Sequence, residues 1–351
     1  MTNTDRIRFT VARQATFVAA FTIAVGCGYD STTPYSPPGP NPSVQDGLWT
    51  SSGSNPAILR LDANQLLTSG NRTPATAIST PSAELFDLNG IAFDVDGTMW
   101  VTSVDDSTLV AFPPASLERS GPTPAAIVIS SNNGSLSAPR GLAFDKQHRL
   151  WVANVGNGTL VRFDPAQLRA SGSPVPAVTI SGLGQPNSIA FDAAGSLWVA
   201  DGGRTKVVSF GEDQLAASGF LAPRVVIAAK AASLATPLGL AFDAAGNLWV
   251  GNVGNQTVVA FTPAQLVAGG TIDPNVVLSS NGGSLRIPAG LAFDADGSLW
   301  VMGGTGALEK FPKSALNATG APAPGIHIDV AGYVLFSSVA FWPTPESLPI
   351  N

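Results

Sequence analysis

A tryptophan recurs down this chain at a nearly constant interval, and nothing else constrains the fold as strongly. Leu-Trp or Met-Trp pairs place Trp49, Trp100, Trp151, Trp198, Trp249 and Trp300 at steps of 51, 51, 47, 51 and 51 residues. A second motif, a small residue followed by an aliphatic one and Ala-Phe, recurs in step and ends at Phe93, Phe144, Phe191, Phe242, Phe293 and Phe341. Self-similarity at a period near 50 residues marks an array of equivalent units.

The copy beginning at Gly239 displays the unit most clearly. Gly239-Leu240-Ala241-Phe242-Asp243, Leu248-Trp249-Val250-Gly251-Asn252 and Thr257-Val258-Val259-Ala260-Phe261 are apolar runs bounded by Gly, Asn and Asp. They are rich in β-branched and aromatic residues and too short for helices. They lack polar/apolar alternation, as expected of strands buried on both faces. Next comes a short helix with Thr262 as N-cap, Pro263 at N1 and Gln265 at N3, the capping-box arrangement. Gly269-Gly270 is expected to end it in the left-handed conformation. Asp164-Pro165-Ala166-Gln167 and Asp62-Ala63-Asn64-Gln65 repeat the start, closing at Gly172 and Gly70, and Gly stops recur at Gly121, Gly219 and Gly320. A fourth run, Asn275-Val276-Val277-Leu278, completes the unit. Each unit therefore reads as strands A, B and C, a short helix and strand D.

Four-stranded meanders that must bury both faces do so by radial stacking, which gives an all-β, six-bladed β-propeller. The chain enters at strand B (Trp49) and leaves at strand A (Phe341). The C-terminal strand A should therefore complete blade one beside the N-terminal strands B, C and D, closing the ring and leaving no exposed edge. The periodic aromatics are read as packing between blades.

Composition agrees. Only 12% of the 351 residues are charged and 44% are hydrophobic. The net charge of −6 and the lack of any basic block argue against nucleic-acid binding. Two histidines, His148 and His327, and one cysteine, Cys27, exclude an intramolecular disulfide framework and a cysteine-based zinc site.

That cysteine ends a leader. Arg6, Arg8 and Arg13 precede an apolar stretch of 11 residues, Ala15 to Val25. This is short of the roughly 20 residues that span a bilayer but suits a secretory signal. Ala24-Val25-Gly26-Cys27 resembles the bacterial lipobox, with Ala24 where Leu is usual. The resemblance implies cleavage before Cys27 and its lipidation, so that the protein is exported and held to a bacterial membrane, on the periplasmic or cell-surface side. The expected domains are a signal peptide (1–26), a Pro-rich tether (27–46), the propeller (47–342) and a C-terminal tail (343–351). Without residues 1–26 the charge is −8, so the body should not adhere electrostatically to anionic lipid. A monomer is expected.

The stretches Pro139–Arg162 and Pro237–Val259, with Gly-Leu-Ala-Phe-Asp, Gly or His at the turn, Leu-Trp-Val and a Gly-Asn turn, resemble the NHL repeat. The wider group includes the senescence-marker-protein/gluconolactonase family and, more distantly, virginiamycin B lyase. The resemblance covers residues 47–342 and is specific for fold rather than function. It implies that ligands approach the end carrying the B–C and D–A loops. There the residues preceding each Gly-Leu-Ala strand should ring the channel mouth: Asn89, Arg140, Asn187, Leu238, Ala289 and Ser337. Gluconolactonase-like enzymes hold a divalent metal with Glu, Asn and Asp at such positions. Asn89 and Asn187 resemble the Asn ligand, but no carboxylate occupies any of the six, and a hard cation wants anionic oxygens. Asp87 or Glu84 could supply one. No cofactor is therefore expected, with a divalent metal as the alternative.

The B–C loops add Asp105, Asp106, Asn154, Asn157, Asp201, Arg204, Asn252 and Asn255 as turn formers or, alternatively, as a polar mouth in which Arg140 and Arg204 grip an anion. Neither His148, in an A–B turn, nor His327, in a D strand, is placed to act as a base in the channel, so no catalytic residue is assigned. Asp94-x-Asp96-Gly97 and Asp294-x-Asp296-Gly297 look like calcium-loop openings but lack the later Glu, and tight A–B turns are the reading. The expected function is a binding or protein-interaction scaffold for an unknown protein or small molecule. The alternative is a metal-dependent hydrolase of the lactonase type.

Overall fold

A computed structural model describes residues 47–52, 56–79, 87–131, 133–230, 233–303, 306–333, 336–345 and 348. Leader and tether lie outside them, Cys27 included, as do Glu84, Gly304 and Thr305. Six antiparallel sheets each hold a meander of strands A to D. In blade three these are Pro139–Phe144, Leu150–Asn154, Thr159–Phe163 and Val178–Ser181. Blade one joins the chain ends as expected. Phe336–Trp342 pairs antiparallel with Gly47–Ser52, and Leu48 faces Phe341.

The molecule has no single core. Six apolar clusters lie between neighbouring blades, and the last joins blade six to blade one through Trp300, Met302, Leu48 and Leu59. Each B strand is therefore buried along its length, Leu248–Asn252 for example, which explains the missing alternation. The repeat Trp packs edge-on against the Phe of the following blade: Trp49 on Phe93 at 6.1 Å, Trp249 on Phe293 at 5.9 Å and Trp300 on Phe341 at 6.3 Å between ring centroids. Such pairs contribute about 0.5–1.5 kcal/mol beyond burial.

The Asp that follows five of the six repeat Phe residues does more than form a turn. In blade four, Asp192 Oδ1 accepts from Ser196 N at 2.8 Å while Oδ2 accepts from Trp198 Nε1 at 2.8 Å. Asp94, Asp145, Asp243 and Asp294 hold Trp100, Trp151, Trp249 and Trp300 in the same way. One carboxylate thus fixes both the A–B turn and the indole six residues on.

Two expectations need correction. The predicted helices between strands C and D are 3₁₀ turns in five blades, and among the described residues only Pro263–Ala268 is an α-helix, although the capping boxes on Asp62, Asp164 and Thr262 form. The Gly stops are not left-handed helical caps: Gly269 caps its helix at φ +59° but with an extended ψ of −165°. Gly70, Gly121, Gly172 and Gly219 have φ between +118° and +159°, and each opens a short segment that pairs in parallel with strand D of the preceding blade. Ile180 faces Gly219, Ile227 faces Gly270, Ile78 faces Gly121 and Ile328 faces Gly70. Single bridges Ile129–Gly172 and Leu278–Gly320 complete the set. The residue before the Gly adds a side-chain bond. Ser218, Ser171, Ser120, Ser69 and Thr319 each accept from a strand D amide at 3.0–3.1 Å. Every blade is therefore braced by the next, and blade six by blade one.

Candidate functional site

The six A strands surround a central cavity of about 290 Å³. Their glycines let neighbouring backbones approach. A Cβ on Gly90 would lie 2.2 Å from Arg140 O, and one on Gly141 would lie 2.6 Å from Asn187 O. One end carries Asn89, Arg140, Asn187, Leu238 and Ala289, as the repeat register predicts. Thr344, Pro345 and Leu348 of the C-terminal tail line the cavity beyond the other end of strand A. The side chain of Ser337 lies outside the described set.

The mouth is divided. Asn89, Arg140 and Asn187 come from consecutive blades two, three and four. Leu238 and Ala289 come from blades five and six, across the ring. Arg140 Nη1 donates to Asn187 Oδ1 at 3.1 Å, and Asn187 Nδ2 donates to Pro237 O at 3.3 Å. Arg140 Nε is shielded from solvent and has no hydrogen-bond partner among the described residues. B-strand hydroxyls hold the rim backbone: Ser51 Oγ donates to Asn89 O at 2.6 Å and Thr102 Oγ1 to Arg140 O at 2.9 Å.

Two further residues enter the lining from the loops before strand A, Asp87 and Ile287. Both have positive φ, +48° and +52°, but so do Ala138 and Thr236 at the same repeat position. The conformation is a property of the repeat, not strain held for chemistry. Burial pushes the Asp87 carboxyl above its ordinary range; Arg140 opposes the shift and Asp105 adds to it. Asp105 and Asp106 are exposed in the B–C loop of blade two and do not line the cavity.

The other predicted mouth residues are elsewhere. Asn154, Asp201 and Asn252 are fully buried at one repeat position, the end of strand B. Asn154 Oδ1 accepts from Ser137 N at 3.2 Å, while its Nδ2 donates to Ser135 O at 3.1 Å and Thr159 Oγ1 at 3.0 Å. Asn252 makes the equivalent bonds to Ala235, Ser233 and Thr257. Asp201 accepts from the amides of Gly184 and Gln185 at 2.8–3.0 Å. All three latch the B–C loop to the D–A loop, and none has a free polar atom to offer the cavity. Arg204 stands half exposed in the turn Gly202–Arg204, its Nε 3.9 Å from Asp201 Oδ2. It does not line the cavity, so Arg140 and Arg204 form no joint grip. His148 and His327 are likewise absent from the lining.

The donor set does not fit the divalent metal implied by the gluconolactonase resemblance. Asp87 is the only carboxylate among the described lining residues, and the Arg140 guanidinium shares the cavity with it. Among the described residues no group of three or more His, Cys, Asp and Glu is placed to hold a metal ion.

No family model matches the chain, so the resemblance to the NHL repeat rests on its motif alone. No curated protein matches it either. Solved structures do. A structure of a nidogen/laminin complex is similar at TM-score 0.59 and 16% identity, over 86% of this chain and 99% of that one. A protein of unknown function from Bacteroides caccae is similar at TM-score 0.60 and 10% identity, over 85% and 98%. Virginiamycin B lyase from Staphylococcus aureus is similar at TM-score 0.51 and 12% identity, over 79% and 84%. At such identities the likeness establishes the fold, and the fold is a six-bladed β-propeller.

Proposed function

We propose that this chain is an exported, lipid-anchored binding propeller whose cavity mouth on blades two to four engages its ligand. The reading is carried by the concentration of Asn89, Arg140 and Asn187 on one arc of the channel mouth, facing Leu238, Ile287 and Ala289 across it. An unsatisfied buried donor costs about 1–3 kcal/mol, and Arg140 Nε is such a donor. A propeller is equally suited to carrying a protein partner on that face, and the NHL-like motif is compatible with either. The anchor rests on the Ala24-Val25-Gly26-Cys27 sequence, which lies outside the described residues.

Two experiments test the reading. Spectra of the protein with a chemically diverse fragment set should shift resonances of Arg140 and Asn187; perturbations confined to the outer rim would overturn it. Replacing Cys27 with Ser should release the protein from the membrane fraction, and continued tight association would refute the lipid anchor. For the lactonase alternative, calcium, magnesium, zinc or manganese should raise the unfolding midpoint by mass action. The donor set predicts no such shift.

A further inference from the structure

We propose that the central cavity takes a small amphipathic carboxylate, its anionic end on Arg140 and its apolar body reaching across to Leu238, Ile287 and Ala289. The proposal rests on the mouth being the binding face and adds the class of ligand.

Ring geometry carries the argument. In a six-bladed ring, blade three stands opposite blade six and blade two opposite blade five. Arg140 therefore faces the Ile287 and Ala289 side, and Asn89 faces Leu238. A ligand lying across the mouth meets a guanidinium and two amides at one end and aliphatic side chains at the other. Deeper in, Ile91, Leu142, Ile189, Leu240 and Leu291 continue the apolar wall. A ligand without an apolar body would leave these side chains facing water, and one without a polar head would strand Arg140.

Charge selects the head group. The Arg140 guanidinium presents a planar fork of donors that matches a carboxylate. One of its donors is engaged by Asn187, and its shielded Nε has no partner. Asp87 is the competing charge on the rim; burial shifts its carboxyl above the ordinary range and Arg140 opposes that shift. Asp105 adds negative potential from outside the lining. Volume sets the size: about 290 Å³ lies at the lower end of the roughly 300–1,000 Å³ of ligand pockets, which admits a short chain and not an oligomer.

The test uses the full-length protein with hexanoate, hexanol, hexylamine and acetate as probes in calorimetric titration. Hexanoate should bind at least about tenfold more tightly than hexanol or hexylamine, a difference of about 1.4 kcal/mol, and acetate should bind more weakly than hexanoate. Arg140→Met should reduce hexanoate to the level of hexanol. Arg140→Lys, which keeps the charge and loses the fork, should give an intermediate loss; it serves as the second variant should Met disturb folding. Asp87→Asn should strengthen hexanoate binding. Equal or tighter binding of hexylamine or hexanol in the same cavity would discard the carboxylate while leaving the mouth as the binding face. Hexanoate affinity unchanged in Arg140→Met, or absence of binding by all four probes, would also overturn the proposal. Fragment signals confined to the outer rim would instead overturn the mouth itself.

Discussion

Trp342 stands in blade one where the other five blades carry an aspartate, and it leaves Trp49 without an acceptor for its indole nitrogen. Five repeat tryptophans donate to Asp94, Asp145, Asp192, Asp243 and Asp294, whereas Trp49 Nε1 is buried and has no partner among the described residues. Trp342 compensates by packing. Its ring stacks on Phe93 at 4.9 Å, and Arg60 lies 5.8 Å from the Trp49 ring centroid. The blade that sews the chain ends together is thus held by aromatic contact where the others use a hydrogen bond.

This asymmetry predicts unequal effects of one substitution. Trp198→Phe strands Asp192 Oδ2, whereas Trp49→Phe removes a donor that had no partner. Trp198→Phe should be the more destabilising by about 1–2 kcal/mol, measured by denaturant unfolding of the two variants. Equal losses would show that the indole–carboxylate bond contributes nothing net.

The brace between blades predicts a local effect. Ser218 Oγ accepts from Thr179 N at 3.1 Å, across the boundary between blades four and three. Ser218→Ala should lower stability by about 0.5–1.5 kcal/mol. It should also accelerate hydrogen exchange at the Thr179 amide, while the buried B-strand amides exchange as before. Unchanged protection at Thr179 would mean the brace is held by its backbone pairing alone.

Close approach of A strands predicts a steric effect around the channel. In Gly141→Ala the new methyl would lie 2.6 Å from Asn187 O and 2.8 Å from Ser188 Cα, both backbone atoms. The expected loss is about 1–3 kcal/mol. Gly320→Ala, with nothing within 4 Å, should stay within about 0.5 kcal/mol of wild type. Thermal unfolding of the pair separates crowding from the general cost of replacing glycine.

A fourth prediction concerns pH. His327 Nδ1 lies 2.8 Å from Glu309 Oε1 and Nε2 lies 3.3 Å from Asp329 Oδ2, on the D strand that receives the brace from blade one. The bond to Glu309 raises the His327 pKa, and burial raises that of Glu309. Each shift means that the folded state binds more protons than the unfolded chain in that group's own pH range, and in the histidine range the effect is that of His327. The stabilisation is fully present below the ordinary histidine value of about 6.5 and is lost as pH rises through the raised value. Unfolding midpoints should therefore fall over that window in the wild type and be flatter in Glu309→Gln. A midpoint that rises with pH there, with the same slope in the variant, would refute the clasp.

The architecture was legible in the sequence because propeller blades are local. Strands A to D lie within one repeat, so the Trp and Phe periods, the Gly/Asn turns and the capping residues at Asp62, Asp164 and Thr262 state the unit, and the phase of the chain ends states the closure. Register placed Asn89, Arg140 and Asn187 at one repeat position beside the channel, and the resemblance pointed to that end as the mouth. The packing of the periodic aromatics between blades was legible as well, but the polar and backbone contacts between repeats were not. Ser218 and Gly219 read as the end of a helix, and only their pairing with Thr179 and Ile180 of the preceding blade makes them a brace. Asn154, Asp201 and Asn252 read as turn formers with a polar mouth as the alternative; they are completely buried, with every polar atom engaged across two loops. Asp87 and Ile287 reach the cavity because the loop before strand A turns through positive φ. Sequence periodicity determines which residues share a layer of this ring. Which side chains face the channel, which face a neighbouring blade and which remain unpaired was decided by radial packing, because those relations exist only once six separate copies are brought side by side.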